Sequence, residues 1–367
     1  MSAVPTTRET AAAAPQAGRN GAGSLPFVGP RLHARVAVLG ASGYAGQEFA
    51  RLCLAHPGLQ LSLLVSREHA GRSAADLMPG YDPRHAALPT VAHPDELPGL
   101  LEGGAFDTLV SALPHGGFAE FAARHAAIGA HALRIVDLSS DHRAAEGWAY
   151  GLPEAFRDSI AGASRIANPG CYPTAAALAL LPAAAEGLLA GPVMISALSG
   201  VSGAGRAPAL RTSFVELDGG AAFYNVGEGH AHVAEMSRTL TRVAGGEIHT
   251  AFAPQLAPMA RGILLTATAD LASPLSSERA QVLYEARYAG ERFVRVQPAG
   301  TYPETRRVRG SNRCDVAVTT VHGGRTLVAM AAIDNLVKGA AGQAVQNLNL
   351  VLGWPEEWGL PLNGNPW

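Results

Sequence analysis

One cysteine stands out for its setting. Cys171 lies in "ANPGCYPTAAALALL" (167–181), after Asn168 and Gly170 and two residues ahead of Pro173. Turn-forming residues hold the chain out of helix up to Tyr172, and Pro173 suits the first turn of the Ala- and Leu-rich helix that follows. The thiol is therefore expected at, or just outside, a helix N-terminus, where partial positive charge favours a thiolate nucleophile. Cys53 and Cys314 fall within patterned helix and strand and read as packing residues.

A thiolate nucleophile needs a base and an anion-binding group. "GEGHAHVAEM" (227–236) supplies His230, His232 and Glu235 within ten residues. A histidine exchanges a proton near neutral pH, and a carboxylate can fix its tautomer. The same cluster is open to a metal reading, although two histidines and one glutamate without a nearby cysteine or aspartate fit one poorly. "SGVSGAGR" (199–206) is a small, glycine-laden loop ending in Arg206. It is shaped for close ligand approach, or is a plain flexible loop.

A second chemistry lies upstream. Gly40, Gly43 and Gly46 form a G-x-x-G-x-x-G turn between a strand and a helix, with Ser42, Tyr44 and Ala45 inside it. Glycine permits positive φ and close backbone approach, and a helix N-terminus offers free N–H groups to a pyrophosphate, so the turn points to a dinucleotide. Ser66, Arg67 and Glu68 follow the next strand, where the adenosine ribose is normally read. Arg67 offers a bidentate grip on a 2′-phosphate and favours NADP over NAD, while Glu68 pulls the other way. "SALPHG" (111–116) brings Pro114 and His115 to the end of a third strand. His115 either faces the cofactor or caps the next helix.

The elements that must position these residues are legible in outline. "RVAVLGASGYAGQEFARLCLAHP" opens as a strand, breaks at Gly40 and turns helical from Tyr44 until Pro57, with Phe49, Leu52 and Cys53 on one face. Strands at 59–68, 108–116 and 134–143, with a helix over 116–129, imply βαβ units and a doubly wound parallel α/β sheet of Rossmann type. Beyond Cys171, long strands in "PVMISALSGVSGAG" and "AFAPQLAPMARGILLTATADL", more strands after 293 and a hairpin turn at "HGGR" (322–325) suggest an antiparallel sheet in an α+β domain. A last helix is expected over 335–353.

Composition sets the outer limits. The chain has 367 residues, 48% of them hydrophobic, and a formal net charge of −2. That size implies two domains, and that charge speaks against nucleic acid or a membrane surface held by bulk electrostatics. Lys338 is the single lysine, so an anion site must rely on arginine, histidine, Lys338 or backbone N–H groups. Three widely spaced cysteines suggest neither disulfides nor zinc and fit a reducing cytoplasm. The Ala-, Gly- and Pro-rich first thirty residues read as a disordered tail, and no run looks long and apolar enough for a membrane span.

The combination "GASGYAGQE", "ANPGCYPTAA", "SGVSGAGR", "GHAHVAE", "GSNRCDV" and "KGAAGQAVQN" resembles the N-acetyl-γ-glutamyl-phosphate reductases of arginine biosynthesis, from about residue 33 to the C-terminus. That family sits with the aspartate-semialdehyde dehydrogenases and shares a broader architecture with glyceraldehyde-3-phosphate dehydrogenase. Beyond the tail (1–32), which it does not cover, the resemblance implies an NADP-binding Rossmann domain (33–170 and 335–367) and an inserted catalytic and oligomerisation domain (171–334) that builds a homodimer or homotetramer. It implies NADPH-dependent, reversible reduction of N-acetylglutamyl 5-phosphate to the semialdehyde through a cysteine thioester.

Position by position, Cys171 matches the nucleophile, and His230, His232 and Glu235 match the His-x-His-x-x-Glu element, with His232 favoured as acid/base. Ser202, Gly203 and Asn335 join the cofactor site; Arg143 in "SSDHR", Arg206 and Asn168 are substrate candidates. Three departures stand out: His142 replaces the usual phenylalanine, Ala231 an arginine and Ala234 a frequent proline. Competing expectations are the same chemistry on an α-aminoadipyl phosphate of lysine biosynthesis and a non-catalytic NADP sensor. A cysteine hydrolase is also open, but leaves the dinucleotide turn unexplained.

Overall fold

The computed structural model describes residues 33–78, 80–81, 90–130 and 133–365; the expected tail at 1–32 lies outside them. Six strands form the first sheet: β1 (Ala34–Leu39), β2 (Leu59–Val65), β3 (Thr108–Ser111), β4 (Arg134–Asp137), β5 (Ala149–Tyr150) and β6 (Arg165–Ala167). All pairs are parallel, in the order β2-β1-β3-β4-β6-β5. β1 is paired on both sides, and Val36, Ala37, Val38 and Leu39 are buried, which explains its nearly unbroken apolar run. The strand order reverses between β1 and β3, the point at which such sheets open a ligand crevice.

The helix expected over 116–129 is two pieces, Gly117–Arg124 and Ala126–Ala130, broken at His125 (φ −122, ψ 70). The break lets Phe121 and Ile128 reach the same core.

The second sheet holds β7 (Leu189–Ser199), β8 (Ala222–Phe223), β9 (Thr250–Leu256), β10 (Ile263–Leu271), β11 (Val294–Val296), β12 (Cys314–Val321) and β13 (Thr326–Ile333). Their order is β11-β12-β13-β10-β7-β9-β8. The sheet is mainly antiparallel, but β7 pairs parallel with β9, and β11 with β12. Residues 251–271 thus belong to two strands that are not neighbours, because β7 lies between β9 and β10. The turn at 322–325 does join β12 to β13, with His322, Gly323 and Gly324 at positive φ.

The helix Cys171–Ala185 is buried on every side against this sheet, from Tyr172 to Ala184, so its sequence shows no polar face. Pro182 inside it has no N–H for the carbonyl of Leu178. The Tyr288 hydroxyl donates to that oxygen at 2.5 Å, and Tyr284 donates to Ala179 O at 2.8 Å. The helix Ser277–Tyr288, which carries both tyrosines, therefore closes a defect as well as covering the core.

After β13 the chain returns to the first sheet. Val337, Ala341, Ala344, Val345 and Leu348 share a core with Val36, Val38, Phe49 and Leu52. The expected single helix is a π-helical turn, Val337–Ala341, followed by an α-helix, Gly342–Val351. Lys338 within that turn is fully buried; its Nζ donates to Glu154 Oε1 at 2.6 Å and Gln346 Oε1 at 2.8 Å. The single lysine is thereby removed from the groups able to bind an anion. Among the described residues, no helix is long and apolar enough to cross a membrane.

Candidate active site

A crevice of about 620 Å³ runs from the ends of β1 and β3 to the mouth of the helix Cys171–Ala185. Gly40, Ser42, Gly43, Tyr44, Ala45 and Pro114 line one half; Arg143, Cys171 and His232 line the other, with Ser202 to Arg206 and Asn335 between.

In the first half each glycine has its own reason. Gly40 is at φ +83, and a β-carbon there would lie 2.8 Å from the Ala112 carbonyl. A β-carbon on Gly46 would lie 2.4 Å from Gly40 O, so this position lets the helix seat on the turn. Gly43 meets nothing nearer than 3.5 Å and leaves bare backbone at the crevice. The first-turn N–H groups of the helix Tyr44–Leu54 have no intrahelical acceptors, which suits a pyrophosphate. Ser66 is buried, and its Oγ donates to Ser42 Oγ at 3.3 Å.

Two expected cofactor residues sit differently. Arg67 is exposed and outside the lining, which includes Glu68 instead. His115 is turned to solvent beside Asp141, with Nδ1 3.1 Å from Oδ1. Asp141 caps the helix Gly117–Arg124, accepting from the N–H groups of Gly116 (2.6 Å) and Ala119 (3.0 Å). The helix cap is thus Asp141 and not His115.

The Gly-rich loop bridges the halves. Arg206 Nη1 donates to Ser42 O at 2.9 Å, so this arginine reaches the cofactor turn. Asn335 Nδ2 donates to Ser202 Oγ at 3.0 Å, while its Oδ1 accepts from Gly262 N–H at 2.7 Å. A β-carbon on Gly203 would lie 3.2 Å from Ser199 Oγ.

Cys171 is the first residue of its helix, with extended Gly170 as N-cap. Burial pushes its thiol up to about 11, against the pull of nearby backbone N–H groups and of Arg143. The free protein thus carries a thiol, and the thiolate expected from the helix terminus must be generated by a base. His232 opens the helix His232–Ala244. A β-carbon on Gly170 would lie 2.5 Å from His232 Nε2 and 2.9 Å from Arg143 Nη1, so both groups lie over the residue before the nucleophile. Burial holds the His232 imidazole down to about 4, leaving it neutral near pH 7.

Glu235 does not orient this histidine. Its Oε1 accepts from Tyr150 (2.8 Å) and Gly170 N–H (2.9 Å), and its Oε2 from Arg143 Nη1 (2.7 Å). Burial raises the Glu235 carboxyl, but Arg143 and the other donors outweigh it and leave the pKa below the usual carboxylate value. His232 Nδ1 is buried without a hydrogen-bond partner among the described residues. Glu235 is instead the post on which Arg143 and the Cys171 turn are fixed. Arg143 also donates to the carbonyls of Asn168 (2.9 Å) and Leu138 (2.9 Å).

Asn168 is fully buried and off the crevice lining. Its Oδ1 accepts from Asn347 at 3.0 Å and its Nδ2 donates to Ala340 O at 3.2 Å, so it ties the Cys171 turn to the last helical segment and does not face a substrate. His230 also stays off the lining; its Nδ1 accepts from His232 N–H at 3.1 Å. No cluster of three or more His, Cys, Asp or Glu able to hold a metal occurs among the described residues. Tyr150, which sequence reasoning missed, had no local signal; its role depends on a partner 85 residues away.

Two family models match: the semialdehyde dehydrogenase NAD-binding domain over residues 35–163 and the semialdehyde dehydrogenase dimerisation domain over 171–335. An N-acetyl-gamma-glutamyl-phosphate reductase of Mycobacterium avium is 44% identical over 90% of this chain and 98% of its own. Another, of Azotobacter vinelandii, is 41% identical over 89% and 97%. The chain belongs to the N-acetyl-gamma-glutamyl-phosphate reductase family. The fold is shared more widely: aspartate semialdehyde dehydrogenase II of Vibrio cholerae superposes with a TM-score of 0.69 at 18% identity, covering 88% of this chain and 99% of that one. The aspartate semialdehyde dehydrogenase of Candida albicans, solved with NADP, gives 0.66 at 16% identity, covering 87% and 99%.

Proposed function

We propose that the protein reduces N-acetyl-γ-glutamyl phosphate to N-acetylglutamate 5-semialdehyde with release of phosphate, a step of arginine biosynthesis, and that the reaction runs in both directions. The observation that carries this reading is the neutral His232 lying over the Cys171 turn, in one crevice with the glycine turn. Bound NADPH supplies the hydride. Everything else falls to side chains of this chain.

As Cys171 Sγ attacks the acyl carbon, its proton passes to His232; the C–S bond forms and the C–O bond to phosphate breaks. Phosphate departs with charge stabilisation more than protonation, which suits the positive charge of Arg143 in the crevice and the N–H groups that Arg206 does not spend on Ser42. The imidazolium of His232 then protonates the oxyanion left when the thioester is reduced. On collapse to the aldehyde His232 takes that proton back and sulfur leaves, being a better leaving group than an alkoxide. Proton transfer of this kind is worth about a hundredfold to ten-thousandfold in rate.

NADP is the preferred cofactor in this reading. Arg67, exposed at the end of β2, is free to fold onto a 2′-phosphate. The assembly is a homo-oligomer built on the outer face of the second sheet, where Met194 is 55% exposed on β7 beside Ser196 and Thr266. Sedimentation of the native protein tests that assignment. Phosphate-dependent reduction of NADP and of NAD with N-acetylglutamate semialdehyde tests the function, with the aminoadipate homologue as the comparison substrate.

A further inference from the structure

The cations around Cys171 are nearly all committed. Arg143 is closed in by Glu235 and two backbone carbonyls. Arg206 reaches Ser42 on the cofactor turn. Arg261 spans Glu48 and Asp334, and Lys338 is buried against Glu154. Position 231, between the two histidines, is alanine and brings no charge.

Arg211 differs from these. Among the described residues it has no acidic partner and no hydrogen bond, and its guanidinium stands over the Tyr224 ring, 5.6 Å from the centroid. Tyr224 leads back to the nucleophile. Its hydroxyl is 2.8 Å from that of Tyr172, the residue after Cys171. Its ring is 5.8 Å from His230, which is 4.8 Å from His232. The short helical turn Leu210–Thr212 that carries Arg211 runs into Thr212 and Ser213. Those two residues wall a hollow that shares Ser202 and Arg206 with the crevice.

An N-acylated glutamyl phosphate carries a second anion, the carboxylate on its α-carbon, a few bonds from the reacting carbonyl. Resting on the function proposed above, we infer that Arg211, held against Tyr224, anchors this carboxylate. A guanidinium 5.6 Å over an aromatic ring and without an acidic partner keeps its N–H groups for a carboxylate, which it can take in bidentate fashion. The remaining arginines are then left to the phosphate and the cofactor turn.

The test compares wild type and Arg211→Ala in the oxidative direction on two aldehydes, N-acetylglutamate 5-semialdehyde and 4-acetamidobutanal, which is the same chain without the carboxylate. The variant should lose about 10- to 100-fold in kcat/KM on the first, through KM, as expected for one charged hydrogen-bonded contact. It should match wild type on the second, which also shows that it folds. Equal losses on both aldehydes, or no loss on the first, overturn the assignment while leaving the proposed reaction intact. A wild type inactive on N-acetylglutamate semialdehyde overturns both.

Discussion

A β-carbon placed on Gly339 would lie 2.8 Å from Cβ of Cys171 and 3.2 Å from its Cα. The nucleophile is thus backed by the π-helical turn Val337–Ala341, far along the chain, and not only by its own helix. One extra residue in a helical turn is a common device where a backbone must come close to a functional group. Gly339→Ala should displace the thiol and lower kcat by about a hundredfold, the scale of a 1 Å misplacement, with a much smaller change in KM. Steady-state kinetics decide, and an unchanged kcat would show that the contact is slack.

The buried thiol gives a pH dependence with a definite sign. Burial raises the Cys171 pKa to about 11, so thiolate is scarce at neutral pH and grows as pH rises. Alkylation of the free protein by iodoacetamide should therefore keep accelerating from pH 8 toward pH 11. A plateau reached near pH 7 would mean that the helix terminus outweighs burial.

Cofactor choice turns on Arg67. Arg67→Ala should raise KM for NADP about tenfold or more and leave KM for NAD nearly unchanged, the mark of a lost contact to the 2′-phosphate alone. Equal effects on both cofactors would move the discrimination elsewhere, with Glu68 in the crevice lining as the next residue to test.

The buried Lys338–Glu154 pair joins the last helical segment to the helix Pro153–Ala161. Lys338→Met should cost about 3–5 kcal/mol, because Glu154 is left charged and unpaired, and Glu154→Gln should restore part of it. Burial raises the Glu154 carboxyl, but Lys338 wins and its folded pKa is lowered. Its contribution is accordingly present above the ordinary carboxylate pKa and lost as pH falls through the lower folded value. Thermal melts of the variants from pH 7 to pH 3 measure both effects.

Local patterns in the chain were legible, and choices among distant partners were not. The strand, glycine turn and helix at 34–54 and the thiol at a helix start depend on near neighbours, so they could be read directly. Glu235 was expected to serve His232, three residues away, but it bonds Arg143, Tyr150 and Gly170, at separations of 65 to 92 residues. The resemblance makes Asn168 a substrate candidate, but its side-chain bonds run to Ala340 and Asn347. The thiol's raised pKa has the same origin: burial is set by what packs around a residue, which spacing does not record. The π turn escaped because Leu336, Ala340, Ala344 and Leu348 keep helical spacing through it.

The proposed reaction passes through a covalent acyl intermediate on Cys171. Mixing the protein with N-acetylglutamyl phosphate in the absence of NADPH, and following phosphate release and intact mass together, tests it most directly. The expected result is a burst approaching one phosphate per chain and an acyl group on the Cys171 peptide, both absent in Cys171→Ala. Phosphate released only when NADPH is present, with no adduct on that peptide, would contradict it.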